Sequence, residues 1–178
     1  MTVTNVSQKK PDLILEQYFL GKTFASGIFE DRFGNVRRQF IVDIDGTWDG
    51  KTLTLTEDFI FGDGETETRV WSIEKIAPAS YVGTADDVIG SAKGIVSGNT
   101  LNWKYDMRLK VGGSRVKVHF DDWMFLQPNG VLINKATVSK LGLDIGRVTI
   151  AFTKKADADF LSTIPSTNKQ PLVATFVR

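Results

Sequence analysis

The sequence predicts an all-β chain, an up-and-down antiparallel β-barrel of about 9–10 strands preceded by a short N-terminal helix. Three observations carry this. From Lys22 to about Lys154 apolar and polar residues alternate with period two, the mark of strands with one dry face and one wet face. Turn-forming residues break the alternation at short intervals: Phe33-Gly34-Asn35, Asp45-Gly46, Asp49-Gly50, Asp63-Gly64, Ser97-Gly98-Asn99, Gly112-Gly113 and Pro128-Asn129-Gly130, several of them suited to tight hairpins. Finally, a meander that is apolar along one whole face would expose two bare edges unless it closed on itself.

Taken in order, residues 1–10 are polar and read as a disordered lead-in. The run from Pro11 to Gly21 has helix punctuation, with proline and aspartate at its start, apolar residues inside and glycine after its end. Strands are then expected at Thr23–Glu30, Val36–Asp45, around Leu53–Thr56, Thr66–Ile76, Tyr81–Ile89, Leu101–Leu109, Arg115–Leu126, Val131–Ser139 and Arg147–Thr153. The cleanest is Leu101-Asn102-Trp103-Lys104-Tyr105-Asp106-Met107-Arg108-Leu109, where large apolar residues hold every second place. These divide the chain into a lead (1–10), one barrel domain (11–155) and a C-terminal tail (156–178). Within the tail, Leu172–Val177 is a candidate last strand docked on the barrel.

Composition narrows the function. At 178 residues one domain with a full core is expected. Lys and Arg number 22 against 21 Asp and Glu, interspersed along the chain, so the basic surplus of a nucleic-acid binder is missing. There is no cysteine and one histidine, which argues against thiolate or multi-histidine metal centres. No cofactor is expected. No apolar stretch approaches the roughly 18 residues of a membrane helix. As given, the N-terminus shows no signal-peptide core, which reads as cytoplasmic; a periplasmic or envelope location is the alternative for a trimmed mature form. The expected partner is a small apolar or amphipathic molecule, and the expected state a monomer or small homo-oligomer.

Several blocks stand in an order that resembles one bacterial family: Leu15–Gly21, Gly27–Gly34, Leu55–Phe59 with Asp63–Glu65, Arg69–Trp71, Gly83–Gly90, and Phe120-Asp121-Asp122-Trp123-Met124-Phe125-Leu126. The chain is similar to members of domain of unknown function 3833 over about Leu13 to Lys154. The resemblance implies a lipocalin-like barrel of calycin type, and a setting among bacterial lipoproteins near fatty-acid modification. It implies no particular activity. The lipobox cysteine of many members is absent here, and the tail after Lys155 falls outside the similarity.

In a closed barrel the informative residues are polar ones in phase with the apolar face. Glu57 is in phase with Leu53, Leu55, Phe59 and Phe61; Arg69 with Trp71 and Ile73; Asp122 with Val118, Phe120 and Met124. Buried charges require partners, so Arg69 is expected to pair with Glu57 or Asp122. Such a pair is either structural or a capture point for the polar end of a ligand. Trp71, Trp103, Tyr105, Phe59 and Phe120 supply aromatic walls for the ligand's apolar part. The leading functional expectation is a binding or carrier protein for a fatty acyl chain or similar amphipath. The alternative is an isomerase, cyclase or hydratase in which buried Glu57 or Asp122 serves as acid or base. His119 falls on the wet face, no Gly-x-Ser-x-Gly elbow is present, and Asp86-Asp87 and Asp43, Asp45 and Asp49 read as surface and hairpin carboxylates.

Overall fold

The computed structural model describes residues 1–6, 10–111 and 113–154. The expected tail strand at Leu172–Val177 lies outside the described residues. Ten strands run in sequence: β1 (Gly21–Asp31), β2 (Val36–Trp48), β3 (Thr52–Phe61), β4 (Thr66–Ala77), β5 (Ser80–Thr84), β6 (Val88–Ser97), β7 (Thr100–Val111), β8 (Ser114–Leu126), β9 (Leu132–Lys140) and β10 (Leu143–Thr153). Each pairs antiparallel with its neighbours in sequence, and β1 pairs with β10, closing the barrel. Closure gives every edge a partner, as the continuous apolar face required.

Three local features differ from the sequence expectation. The stretch expected as one strand, Tyr81–Ile89, is two, because the chain turns at Ala85–Asp87 with Val88 N donating to Ala85 O at 3.1 Å. The second of these strands then runs on to Ser97. Between Ile89 and Lys93 it carries extra residues against β7, a bulge in which Gly90 adopts φ +71°. The helix expected across Pro11–Gly21 is a single turn, α2 (Leu15–Tyr18), entered through an extended Ile14. A further turn, α1 (Val3–Val6), lies in the segment read as a disordered lead-in.

The short length of α2 follows from its role as a floor. Leu13 N donates to Gly98 O at 2.8 Å beside the β6–β7 turn, and the Tyr18 hydroxyl donates to Gly130 O and Phe152 O. The Phe19 carbonyl packs so closely on Gly46 that a Cβ there would overlap it, so only glycine fits on β2 at that point. Leu13, Leu15 and Phe19 are buried. Glu16 accepts from Tyr81 at 2.7 Å and pairs with Lys75. Burial opposes its charge, but these two partners outweigh it and hold its carboxyl below the ordinary glutamate value. The segment thus crosses one end of the barrel and seals it.

Among the described residues, no segment covers the opposite end in this way. Moving toward it, inward-facing apolar residues lose burial on strand after strand. Val42 and Ile44 are buried but Phe40 is half-buried; Leu53 and Leu55 are buried but Phe59 and Phe61 are not. The same step separates Met107 from Leu109, Val118 from Val116, and Phe152 from Ile150 and Val148. The barrel thus has one end closed by the floor segment and, among the described residues, an opposite end where its inner apolar wall is partly exposed.

Candidate functional site

Between floor and mouth lies an aromatic layer. Trp103, on β7, rests against the backbones of Gly83 on β5 and Gly94 on β6; a Cβ on either glycine would come within 2.6 Å and 2.3 Å of the indole. Glycine at these positions therefore makes room for a ring that no side chain would allow. Trp71 meets Trp103 edge-on at 5.7 Å and Tyr105 at 5.3 Å, while Tyr105 stacks on Phe120 at 5.1 Å. Nearer the mouth, Phe59 stacks on Phe61 and contacts Phe40, both at 5.8 Å. All five aromatic residues singled out from the sequence thus face inward.

Arg69 and Glu57 are direct cross-strand partners on β3 and β4, and both side chains are mostly buried, at 16% and 14% exposure. Their closest approach is 3.8 Å. The tighter contact is with a residue that the sequence analysis reads as a surface carboxylate. Arg69 Nε donates to Asp87 Oδ2 at 2.8 Å, from the turn between β5 and β6. Asp87 is 20% exposed, so the expectation of a surface carboxylate is corrected: the turn folds its side chain back across the mouth of β4. Arg69 Nη2 also donates to Glu67 at 3.2 Å, and its guanidinium lies 5.1 Å from the centre of the Phe59 ring. Burial opposes the arginine charge, but Glu57 and Asp87 outweigh it and raise its pKa further.

Asp122 does not pair with Arg69. It sits deeper, 6% exposed, and accepts a hydrogen bond from the Tyr105 hydroxyl at 3.2 Å. Desolvation pushes its carboxyl up to about 7, with Glu57 adding to the rise and Arg69 opposing it. Glu57 is likewise pushed up to about 7, chiefly by desolvation, against the pull of Arg69 and a hydrogen bond from Trp71. Burial also pushes the Tyr105 hydroxyl well above its ordinary value, so it stays a donor. Three buried polar atoms find no partner among the described residues: Asp87 Oδ1, Asp122 Oδ1 and Asn134 Nδ2. Asn134, 2% exposed, is a second residue missed by the sequence reading. Its signal was present, since it shares phase with Leu132, Ala136 and Val138 on β9.

Outside the barrel, a depression of about 450 Å³ beside the β6 bulge is bordered by Lys93, Lys104, Tyr105, Asp106 and His119. His119 is exposed on the wet face and bonds Asp106 at 2.8 Å. A second depression of about 380 Å³ flanks α2 near Tyr18 and Lys154. Among the described residues no group of three or more His, Cys, Asp or Glu side chains could hold a metal ion. No helix among them is long and apolar enough to cross a membrane.

Comparison with known proteins agrees with this architecture. No curated protein matches the chain. Among solved structures it is similar to the S-type phycobiliprotein lyase CPES from Guillardia theta, with a TM-score of 0.58 at 6% identity, covering 79% of this chain and 90% of that one. At that identity the likeness concerns the fold alone, a lipocalin-like closed barrel. The family described as protein of unknown function (DUF3833) matches residues 1–154, the whole barrel with its floor and lead. The chain belongs to that family.

Proposed function

We propose that this protein binds a small apolar or amphipathic molecule, such as a fatty acyl chain, through the mouth of its barrel. The observation that carries this reading is the one-sided loss of cover along the inner wall. On β2, β3, β7, β8 and β10, apolar side chains that face inward are buried toward the floor and half-exposed toward the mouth. A barrel serving only as a scaffold would gain by covering both ends, because apolar area left in water forgoes roughly 25 cal/mol per Å². Phe40, Phe59 and Phe61 would take the apolar part of the ligand, with Trp71, Trp103, Tyr105 and Phe120 beneath them. Arg69, Glu57 and Asp122 would meet its polar part. Native mass spectrometry of the purified protein, with and without added decyl- and dodecyl-chain compounds, tests this. A bound adduct that is lost in Phe59→Asp is expected. A protein that carries no adduct at any chain length overturns the reading.

A second reading rests on the two buried carboxyls pushed up to about 7. Groups titrating there can give or take a proton near neutral pH, which suits a lipocalin-like enzyme that isomerises or hydrates an apolar substrate. Turnover of candidate lipids that vanishes in Glu57→Gln or Asp122→Asn would favour it; unchanged turnover in both would exclude these residues.

A further inference from the structure

We infer that the polar end of the ligand is a protonated amine, held by Asp122 and Asp87, rather than a carboxylate held by Arg69. The inference rests on the reading of the barrel as a binding cup.

Arg69 is already committed. It faces Asp87 at 2.8 Å, Glu67 at 3.2 Å and Glu57 at 3.8 Å, so three carboxylates surround one guanidinium. An incoming carboxylate would meet a neighbourhood whose negative groups outnumber its positive one. It would also have to displace an existing partner into a poorly solvated space. Asp122 adds a fourth acidic group, close enough for Glu57 and Arg69 both to act on its charge.

The unpartnered atoms point the same way. Asp122 Oδ1 and Asp87 Oδ1 are buried acceptors without donors among the described residues. Asp122 has spent only its other oxygen on Tyr105, and Asp87 has spent only its other oxygen on Arg69. Buried acceptors left unpaired cost free energy that a donor recovers. An ammonium group brings three donors and one positive charge, which answers both deficits. Asn134 lies diagonally across the β8–β9 ladder from Asp122, whose direct partner is the small Ala136. Ala136 thus sets only a small side chain opposite Asp122, and in this reading the alkyl chain would run from Asp122 past Tyr105 and Phe120 toward the mouth.

The test compares three probes sharing one tail: decylamine, decanol and decanoate, titrated by tryptophan fluorescence against wild type, Asp122→Asn and Asp87→Asn. The chain's net charge is +1, so nonspecific attraction does not favour the amine. In wild type, decylamine is expected to bind at least about tenfold more tightly than decanoate, as a desolvated charge pair allows. Asp122→Asn is expected to remove most of that preference, weakening decylamine far more than decanol, and Asp87→Asn to reduce it. Equal or tighter binding of decanoate in wild type overturns the inference while leaving the binding cup in place. So does an amine preference that survives both substitutions. Failure of all three probes to bind overturns the cup itself, and the inference with it.

Discussion

Replacing Asp122 by asparagine isolates the electrostatic cost of the buried carboxyl. In the unfolded chain this aspartate loses its proton near 3.8; in the folded barrel it does so at about 7. Below about pH 3 both states hold the proton and the group is neutral to stability. Between the two values the folded protein keeps a proton that the unfolded chain has released. Stability therefore falls as pH rises, by about 1.4 kcal/mol per unit. Above about pH 8 both states are ionised and the penalty is complete, roughly 4 kcal/mol for a displacement of about three units. Glu57 acts in the same sense between 4.5 and about 7. The carboxyls of Asp49, Asp63 and Asp106, held low by hydrogen bonds, act in the opposite sense, but their contribution is complete above about pH 5. The window from pH 5 to pH 7 thus reads the buried groups. Urea unfolding followed by tryptophan emission at pH 5, 6 and 7 measures the effect. Because the folded carboxyl is half ionised by pH 7, the stability of wild type relative to Asp122→Asn should fall by about 2 kcal/mol over those two units. Parallel stability curves for the two proteins would refute the argument.

Arg69→Met leaves Glu57 and Asp87 buried without their counter-charge and should destabilise the barrel by about 3–5 kcal/mol at pH 8. The loss should be smaller at pH 5, where Glu57 is neutral; an equal loss at both pH values would contradict the pairing. Gly94→Ala places a methyl group 2.3 Å from Trp103. It is expected to cost about 1–3 kcal/mol and to change the near-ultraviolet circular dichroism of the aromatic layer, and an unchanged spectrum would contradict the packing described. Leu15→Ala empties a fully covered place in the floor and should cost about 2–5 kcal/mol. Proteolysis of the N-terminal segment should quicken in this variant if α2 is the seal.

The barrel was legible in the sequence because its two physical requirements are written locally. Strict alternation in Leu101–Leu109 became β7, and glycine-containing turns such as Asp63-Gly64 mark hairpins where φ is positive. Phase alone also set Glu57, Arg69 and Asp122 on the inner wall. Partner choice was not legible. Asp87 belongs to a turn, where no periodicity says which way a side chain points, and it reaches Arg69 only because β5 is short and the turn folds inward. The split of Tyr81–Ile89 was hidden because Ala85-Asp86-Asp87 lacks a glycine or proline to mark the reversal. Pro11–Gly21 carried helix punctuation, yet one turn suffices where tertiary contacts to Gly46, Gly98 and Gly130 fix the backbone instead.

The inner wall does not need its charges in order to fold. Register around the barrel is already set by alternation and by hairpin geometry, and every strand has both neighbours through hydrogen bonds. Apolar residues of similar volume in place of a buried ionic group are often neutral or stabilising by about 1–4 kcal/mol. Here the acidic groups exceed the available guanidinium, two carboxylate oxygens lack donors among the described residues, and one of these carboxyls, Asp122, lies beside Trp103 in the aromatic layer rather than at the solvent. A register-fixing pair would be balanced and closed on itself. An unbalanced, acceptor-rich cluster between a sealed floor and an apolar mouth is better accounted for by a guest that brings the missing donors.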